Sequence, residues 1–205
     1  MAADRIETLS DLEARYGEPV PTAITKEVAR LTPLHRRFIE CSPFVVLATA
    51  GPDGLDCSPR GDRDAVVRVV DSSTVHLPDR RGNNRIDSLR NLVCDPRVAL
   101  LFFVPGIGTT LRINGRAQLL VDDDLLASFA VDGRTPATVI EVTAERVYTQ
   151  CPKALVRSGL WEPDTYRSRD EVPTVGQIME EITEGELDGA AYDAAYPKRL
   201  RDTLY

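Results

Sequence analysis

Between Phe44 and Tyr148 the chain is a succession of short runs rich in β-branched and apolar residues, punctuated by turn residues and interrupted by few helical stretches. Phe44-Val45-Val46-Leu47-Ala48-Thr49-Ala50 leads through Gly51-Pro52-Asp53-Gly54 into Leu55-Asp56-Cys57-Ser58-Pro59, which has the pattern of a hairpin closed by a glycine turn. Further runs lie at Ala65 to Val70, Thr74 to Leu77, Val98 to Val104, Thr110 to Leu120 and Thr138 to Tyr148, with one helix at Arg85 to Val93. Parallel strands need a crossover connection, usually a helix, between successive strands. The pattern therefore predicts a mainly β fold with flanking helices, built as an antiparallel barrel and not from alternating βαβ units.

Helical patterns dominate the two ends and recur briefly within the β region. Residues 9 to 41 read as helical, with Ser10 as N-cap, Gly17 as a stop and Thr32-Pro33 opening a second amphipathic segment from Leu34 to Cys41. Short helices are expected at Asp123 to Phe129, Pro152 to Ser158, Val175 to Ile182 and Gly189 to Leu200. This divides the chain into a helical segment (1–43), a β core (44–161) and an acidic helical tail (162–205) packed on that core. At 205 residues and 42% hydrophobic content, one compact core accommodates it.

Charge narrows the partners. The net charge is −7, which argues against nucleic acid, because phosphate backbones need a basic footprint. The distribution is uneven: eight arginines (60, 63, 68, 80, 81, 85, 90 and 97) face six aspartates in the middle, whereas residues 162 to 205 carry eleven acids and five bases. A locally basic middle in an acidic protein suits a small anion. No apolar run is long enough to span a bilayer, and the first residues lack a secretory pattern. Cys41, Cys57, Cys94 and Cys151 form no Cys-x-x-Cys pair, so no zinc site is indicated. A cytoplasmic protein with reduced thiols is expected, with no nucleic-acid or membrane partner.

The segment Leu77-Pro78-Asp79-Arg80-Arg81-Gly82-Asn83-Asn84-Arg85 leaves a strand and enters a helix, concentrating three arginines, two asparagines and a glycine. Free backbone N–H groups, the positive end of the helix and forked guanidinium donors make such a junction fit for a phosphate; a solvated charged turn is the plainer reading. No Walker or Gly-x-Gly-x-x-Gly pattern occurs. In the run from Arg63 to Asp71, Arg63 and Arg68 stand five apart, hence on opposite faces of a regular strand. A second region of interest is Tyr148-Thr149-Gln150-Cys151-Pro152-Lys153, where a strand ends and proline starts a helix. Cys151 near that N-cap reads either as a small buried hydrophobe or as an activated thiol. Lys153, Arg157 and Trp161 recur at helical spacing, and Trp161 suits core or dimer packing as well as stacking on a ligand. His35 and His76 have no metal-ligating partner at the right spacing and read as structural or exposed.

From about Phe44 to Trp161 the chain resembles the pyridoxamine 5'-phosphate oxidase-like proteins, the FMN-binding split β-barrels. The strings that carry the resemblance are Ser58-Pro59-Arg60-Gly61-Asp62, Asp79-Arg80-Arg81-Gly82-Asn83-Asn84-Arg85 and Gln150-Cys151-Pro152-Lys153-Ala154-Leu155, which are similar to an actinobacterial-type group. Asp95-Pro96-Arg97-Val98-Ala99-Leu100-Leu101-Phe102 and Leu111-Arg112-Ile113-Asn114-Gly115-Arg116-Ala117 match the central strands. The resemblance implies FMN as cofactor and a homodimer with FMN at its interface. It places Arg63, Val66, Val67 and Arg68 on the first flavin strand and Pro78 and Asp79 at backbone contacts to the flavin. Asn84 and Arg85 fall at the phosphate pair, with Arg80 or Arg81 making up for the missing first base. Thr110 falls where the oxidase has a glutamine reaching over from the second subunit. Lys153, Arg157 and Trp161 are candidates to face the flavin or a substrate anion.

Vitamin B6 oxidation does not carry over, because the Arg-x-His motif that closes the oxidase substrate site is missing. The expectation is an FMN-dependent oxidoreductase acting on a small molecule, with no nameable catalytic base. The alternative is a non-catalytic protein that binds FMN, deazaflavin F420 or haem.

Overall fold

The computed structural model describes residues 5–205. Seven strands form one antiparallel sheet: β1 (Phe44–Gly51), β2 (Gly54–Gly61), β3 (Arg68–Val69), β4 (Thr74–Pro78), β5 (Arg97–Phe103), β6 (Thr110–Leu120) and β7 (Val139–Gln150). Their order across the sheet is β2-β1-β5-β6-β7-β4-β3. The described residues also form eight α-helices: α1 (Leu9–Tyr16), α2 (Pro21–Thr25), α3 (Pro33–Glu40), α4 (Asp87–Cys94), α5 (Asp123–Ala127), α6 (Lys153–Ser158), α7 (Val175–Ile182) and α8 (Gly189–Asp202). No described helix is long and apolar enough to cross a membrane.

The core follows from period-2 alternation. In β5, Val98, Leu100 and Phe102 are buried while Ala99, Leu101 and Phe103 are only partly covered. Val45 and Leu47, Leu111 and Ile113, Ile140 and Val142, and Val75 and Leu77 repeat this on neighbouring strands, closed over by Ile39 of α3 and Leu92 of α4. Each such side chain contributes about 1.5–3 kcal/mol of apolar burial. Gly115 lets β6 meet β7 at a register shift: a Cβ there would lie 2.0 Å from the Thr143 carbonyl oxygen.

Three sequence expectations need correction. The helical reading of residues 9–41 resolves into three separate helices, and α1 is capped by Thr8, whose hydroxyl accepts from the Asp11 N–H, not by Ser10. The strand expected from Ala65 to Val70 shrinks to Arg68–Val69. Asp62 Oδ1 accepts from the Arg63 N–H and turns the chain, and the Val66 N–H bonds to the Ser42 carbonyl instead of to a neighbouring strand. The central helix begins at Asp87 instead of Arg85, because Asn84 and Ile86 adopt φ of 60° and 54°.

Candidate functional site

Where β4 ends, the chain runs as an irregular loop from Asp79 to Ile86 before α4 begins. Ile86 is the N-cap of α4 and supplies no side-chain cap, so the first amides of the helix lack that partner. Beside this junction lies a cavity of about 410 Å³. Pro59 and Val66, Pro78, Ile86 and Leu204 give it apolar surface; Ser58, Arg60, Asp79, Arg80, Arg81 and the loop asparagines give it polar surface. Of the residues singled out in the sequence, Val66, Pro78, Asp79, Arg80, Arg81 and Asn84 therefore meet around one space.

Two arginines facing this space are already paired. Asp56, Ser58 and Arg60 alternate along one face of β2, and Ser88 of α4 packs into the row. Ser58 Oγ lies 3.0 Å from Ser88 Oγ, and Ser88 donates to Asp56. Arg60 donates to Ser58, to Ser88 at 3.2 Å and to Asp79, the last as a close ion pair. Arg80 donates through Nε to Asp62 Oδ2 at 2.9 Å and through a terminal nitrogen to the Phe129 carbonyl at 2.6 Å. Burial pushes the Asp62 carboxyl up, but hydrogen bonds from Tyr205, the Arg63 amide and Arg80 outweigh it and hold it below its ordinary value. Arg81 lines the cavity with no ion pair among the described residues.

The remaining sequence candidates are distributed elsewhere. Arg68 stacks 3.6 Å over the Phe129 ring and donates to the Ser128 hydroxyl and carbonyl. With Val67 it lines a second space of about 480 Å³ that shares Pro78 and Arg80 with the first. Arg63 sits 3.8 Å from Asp132 and lines neither space. Arg85 is exposed, bonded to Asp87, and borders a third space of about 330 Å³. Arg63 and Arg68 are thus separated by a turn, not by strand alternation.

Thr110, Lys153, Arg157 and Trp161 gather in a different place. Trp161 donates to the Ile107 carbonyl at 3.0 Å, and Gly108 lies against Pro152. Thr110 pairs with Gln150, whereas Pro78 pairs with Val139, at opposite ends of β7. The two positions are the ends of the twelve-residue β7, eleven residue steps apart, or roughly 36 Å of extended chain. The helix carrying Lys153 and Arg157 ends at Ser158 with Gly159 left-handed, so Trp161 is not on its face as the spacing implied. Cys151 is exposed, which corrects the buried reading. His35 caps α3 through Nδ1, and His76 is bonded to Glu141 at 2.8 Å; neither lines the cavity.

Residues to which sequence reasoning gave no site role are Arg60, Ser58, Asp62, Ser88, Phe129 and the pair Leu204–Tyr205. Arg60 and Asp62 stand in the quoted Ser-Pro-Arg-Gly-Asp string, and their period-2 spacing from Asp56 and Ser58 was a usable signal. Nothing local marks Tyr205.

Residues 31–151 match the pyridoxamine 5'-phosphate oxidase family. The chain belongs to that family. The family's split barrel is the seven-stranded sheet described above. Among solved structures, the chain is similar to HupZ of Group A Streptococcus, with 15% identity over 59% of this chain and 94% of that one and a TM-score of 0.47. It is also similar to a Lactobacillus delbrueckii protein assigned as a pyridoxamine 5'-phosphate oxidase, at 22% identity, covering 59% and 95%, TM-score 0.47. An F420 reductase covers 58% and 98% at 14% identity and a TM-score of 0.43. No curated protein matches the chain.

Proposed function

We propose that the chain binds FMN in the cavity at the start of α4 and acts as a flavin-dependent oxidoreductase on a small organic molecule. The observation that carries this reading is the cavity itself. Its volume of about 410 Å³ lies within the roughly 300–1,000 Å³ of cofactor-sized pockets. It joins an uncapped helix start, a glycine-containing loop and an unpaired Arg81 to apolar walls. Amides at a helix start and a guanidinium fork are the donors a phosphate monoester needs.

The residues divide the work. Arg81 and the backbone amides of Gly82, Asn83, Asn84 and Ile86 hold the phosphate. Arg60, fixed by Asp79, Ser58 and Ser88, keeps one rigid positive charge beside the cavity without spending it on the phosphate. Val66, Pro78 and Ile86 exclude water from the ligand. When bound, FMN supplies hydride and electron chemistry, and the protein orients it. Thr110, Lys153, Arg157 and Trp161 are too far along β7 to serve the same cavity, so this reading has a two-fold partner bring them to it. Four unpaired exposed cysteines agree with a reducing cytoplasm. Haem would need an axial ligand, and neither histidine lines the cavity.

The test is the absorption spectrum after FMN is added and the excess removed. Wild type is expected to retain flavin bands, and Arg81→Ala to bind about tenfold more weakly through loss of a charge-assisted contact. Two colourless proteins would sink the proposal. If the bound flavin is reduced by NAD(P)H no faster than free FMN and shows no substrate-linked reoxidation, the chain is a flavin carrier and not an oxidoreductase.

A further inference from the structure

The tail forms its own helical hairpin. Gly176 of α7 and Gly189 of α8 approach so closely that a Cβ on either would clash with the other's carbonyl, and Asp193 accepts from the Gly176 N–H at 3.0 Å. Arg199 lies over the rings of Tyr192 and Tyr196 at 4.5 and 5.2 Å. After Asp202 the chain leaves α8, and Thr203–Tyr205 lies against the β core. Arg134 donates to the Tyr205 carbonyl at 2.6 Å and to the Asp202 carbonyl at 3.5 Å. The Tyr205 hydroxyl donates to Asp62 Oδ1 at 2.8 Å, and its ring is flanked by the guanidinium groups of Arg63 at 5.4 Å and Arg80 at 5.6 Å. Leu204, the neighbouring residue, lines the cavity at the start of α4.

We infer that Leu204 and Tyr205 are part of the ligand site, so that seating of the tail and occupancy of the cavity reinforce one another. The inference rests on the cavity being the flavin site. Its direction comes from volume: the cavity is open with the tail seated, so Leu204 acts as a wall and not as a plug. Tyr205 is a positioning residue. Its hydroxyl fills one side of the Asp62 carboxylate, Asp62 holds Arg80, and Arg80 begins the loop whose Arg81, Asn83 and Asn84 line the cavity. The phenol is held above its ordinary range by that hydrogen bond, so it remains a donor throughout the neutral range. Binding coupling of this kind is reciprocal: whatever the tail adds to ligand affinity, the ligand adds to tail seating.

The test compares wild type with Tyr205→Phe, Tyr205→Ala and Arg134→Ala, the last removing a tail anchor that does not line the cavity. FMN dissociation constants are measured by flavin fluorescence, and amide hydrogen exchange of residues 199–205 is followed with and without FMN. Loss of a hydrogen bond with one charged partner, the Asp62 acceptor for Tyr205 and the guanidinium donor for Arg134, is expected to weaken FMN about tenfold in Tyr205→Phe and Arg134→Ala, and more in Tyr205→Ala. FMN is expected to slow exchange of the tail in wild type, and to do so less in Arg134→Ala. A tail with a purely structural role would leave both the FMN affinity and the ligand-dependent exchange unchanged, and that result overturns the inference alone. Tighter FMN binding in the variants would make the segment a plug and also overturn it. Wild type that takes up no FMN removes the flavin reading, and the inference with it.

Discussion

Arg60 and Asp79 show how a single pair organises this site. Their side chains are 19% and 16% exposed, so each relies on the other as its charge partner, and Arg60 is held as well by Ser58 and Ser88. Asp79→Asn leaves a largely buried guanidinium facing a weaker partner. It is expected to cost about 2–3 kcal/mol, read from urea denaturation, because the penalty is that of stranding a charge and not the small net worth of the pair. A shift below about 0.5 kcal/mol, the usual range for surface substitutions, would mean that Arg60 re-pairs with solvent. The loop from Pro78 to Arg81, together with Asn84, was legible because helix starts and glycine turns are local signals. Arg85 was placed at the phosphate pair by the family resemblance; Asn84 and Ile86 turn left-handed, and Arg85 lies beside the cavity's lining residues, bonded to Asp87.

Among the elements, β4, β6 and β7 illustrate what alternation reveals and conceals. Thr110 to Leu120 was read from sequence with the bounds that β6 has, since its buried and less buried residues alternate from Leu111 to Gln118. The role of Gly115 was not visible, because it depends on Thr143 of a strand far along the chain. Gly115→Ala drives a Cβ into that carbonyl and is expected to destabilise by about 3 kcal/mol or more, seen as a lower thermal midpoint. Across β4 and β7, His76 bonds to Glu141, which also accepts from Gln118. These hydrogen bonds hold the Glu141 carboxyl below its ordinary value of 4.5. The folded value lies under the unfolded one, so the contribution is complete above pH 4.5 and is lost as pH falls through the folded value. Glu141→Gln is therefore expected to lose stability at neutral pH and to flatten the acid limb below pH 4.5, measured as urea midpoints against pH. Identical acid limbs in the two proteins would show that the pair does not titrate with folding. The short β3 marks the opposite case: the run from Ala65 to Val70 has strand composition, but Asp62 turns the chain at Arg63 and the Ser42 carbonyl takes the Val66 amide.

For the whole molecule, the separation of two residue groups along β7 is the fact with the widest consequence. The cavity lies where β4 ends, and Thr110 with the Lys153–Trp161 segment lies at the far end of the same sheet. A homodimer that brings one set against the other is expected to sediment at about 45 kDa, twice the 22.6 kDa chain mass, and to hold FMN only in that form. A 22.6 kDa species that binds FMN with full affinity would remove the far group from the site. The sequence by itself determined the antiparallel β core, the strands whose apolar residues alternate, and the position of the arginine-rich loop between β4 and α4. Those follow from periodicity and turn chemistry, which act between residues a few positions apart. Tertiary structure alone decided which arginines face the cavity, which are tied up by aspartates, and that Tyr205 closes on Asp62 across 143 residues. Such contacts are set by how strands register and where the tail comes to rest, and a linear pattern of residue types contains no distance of that kind.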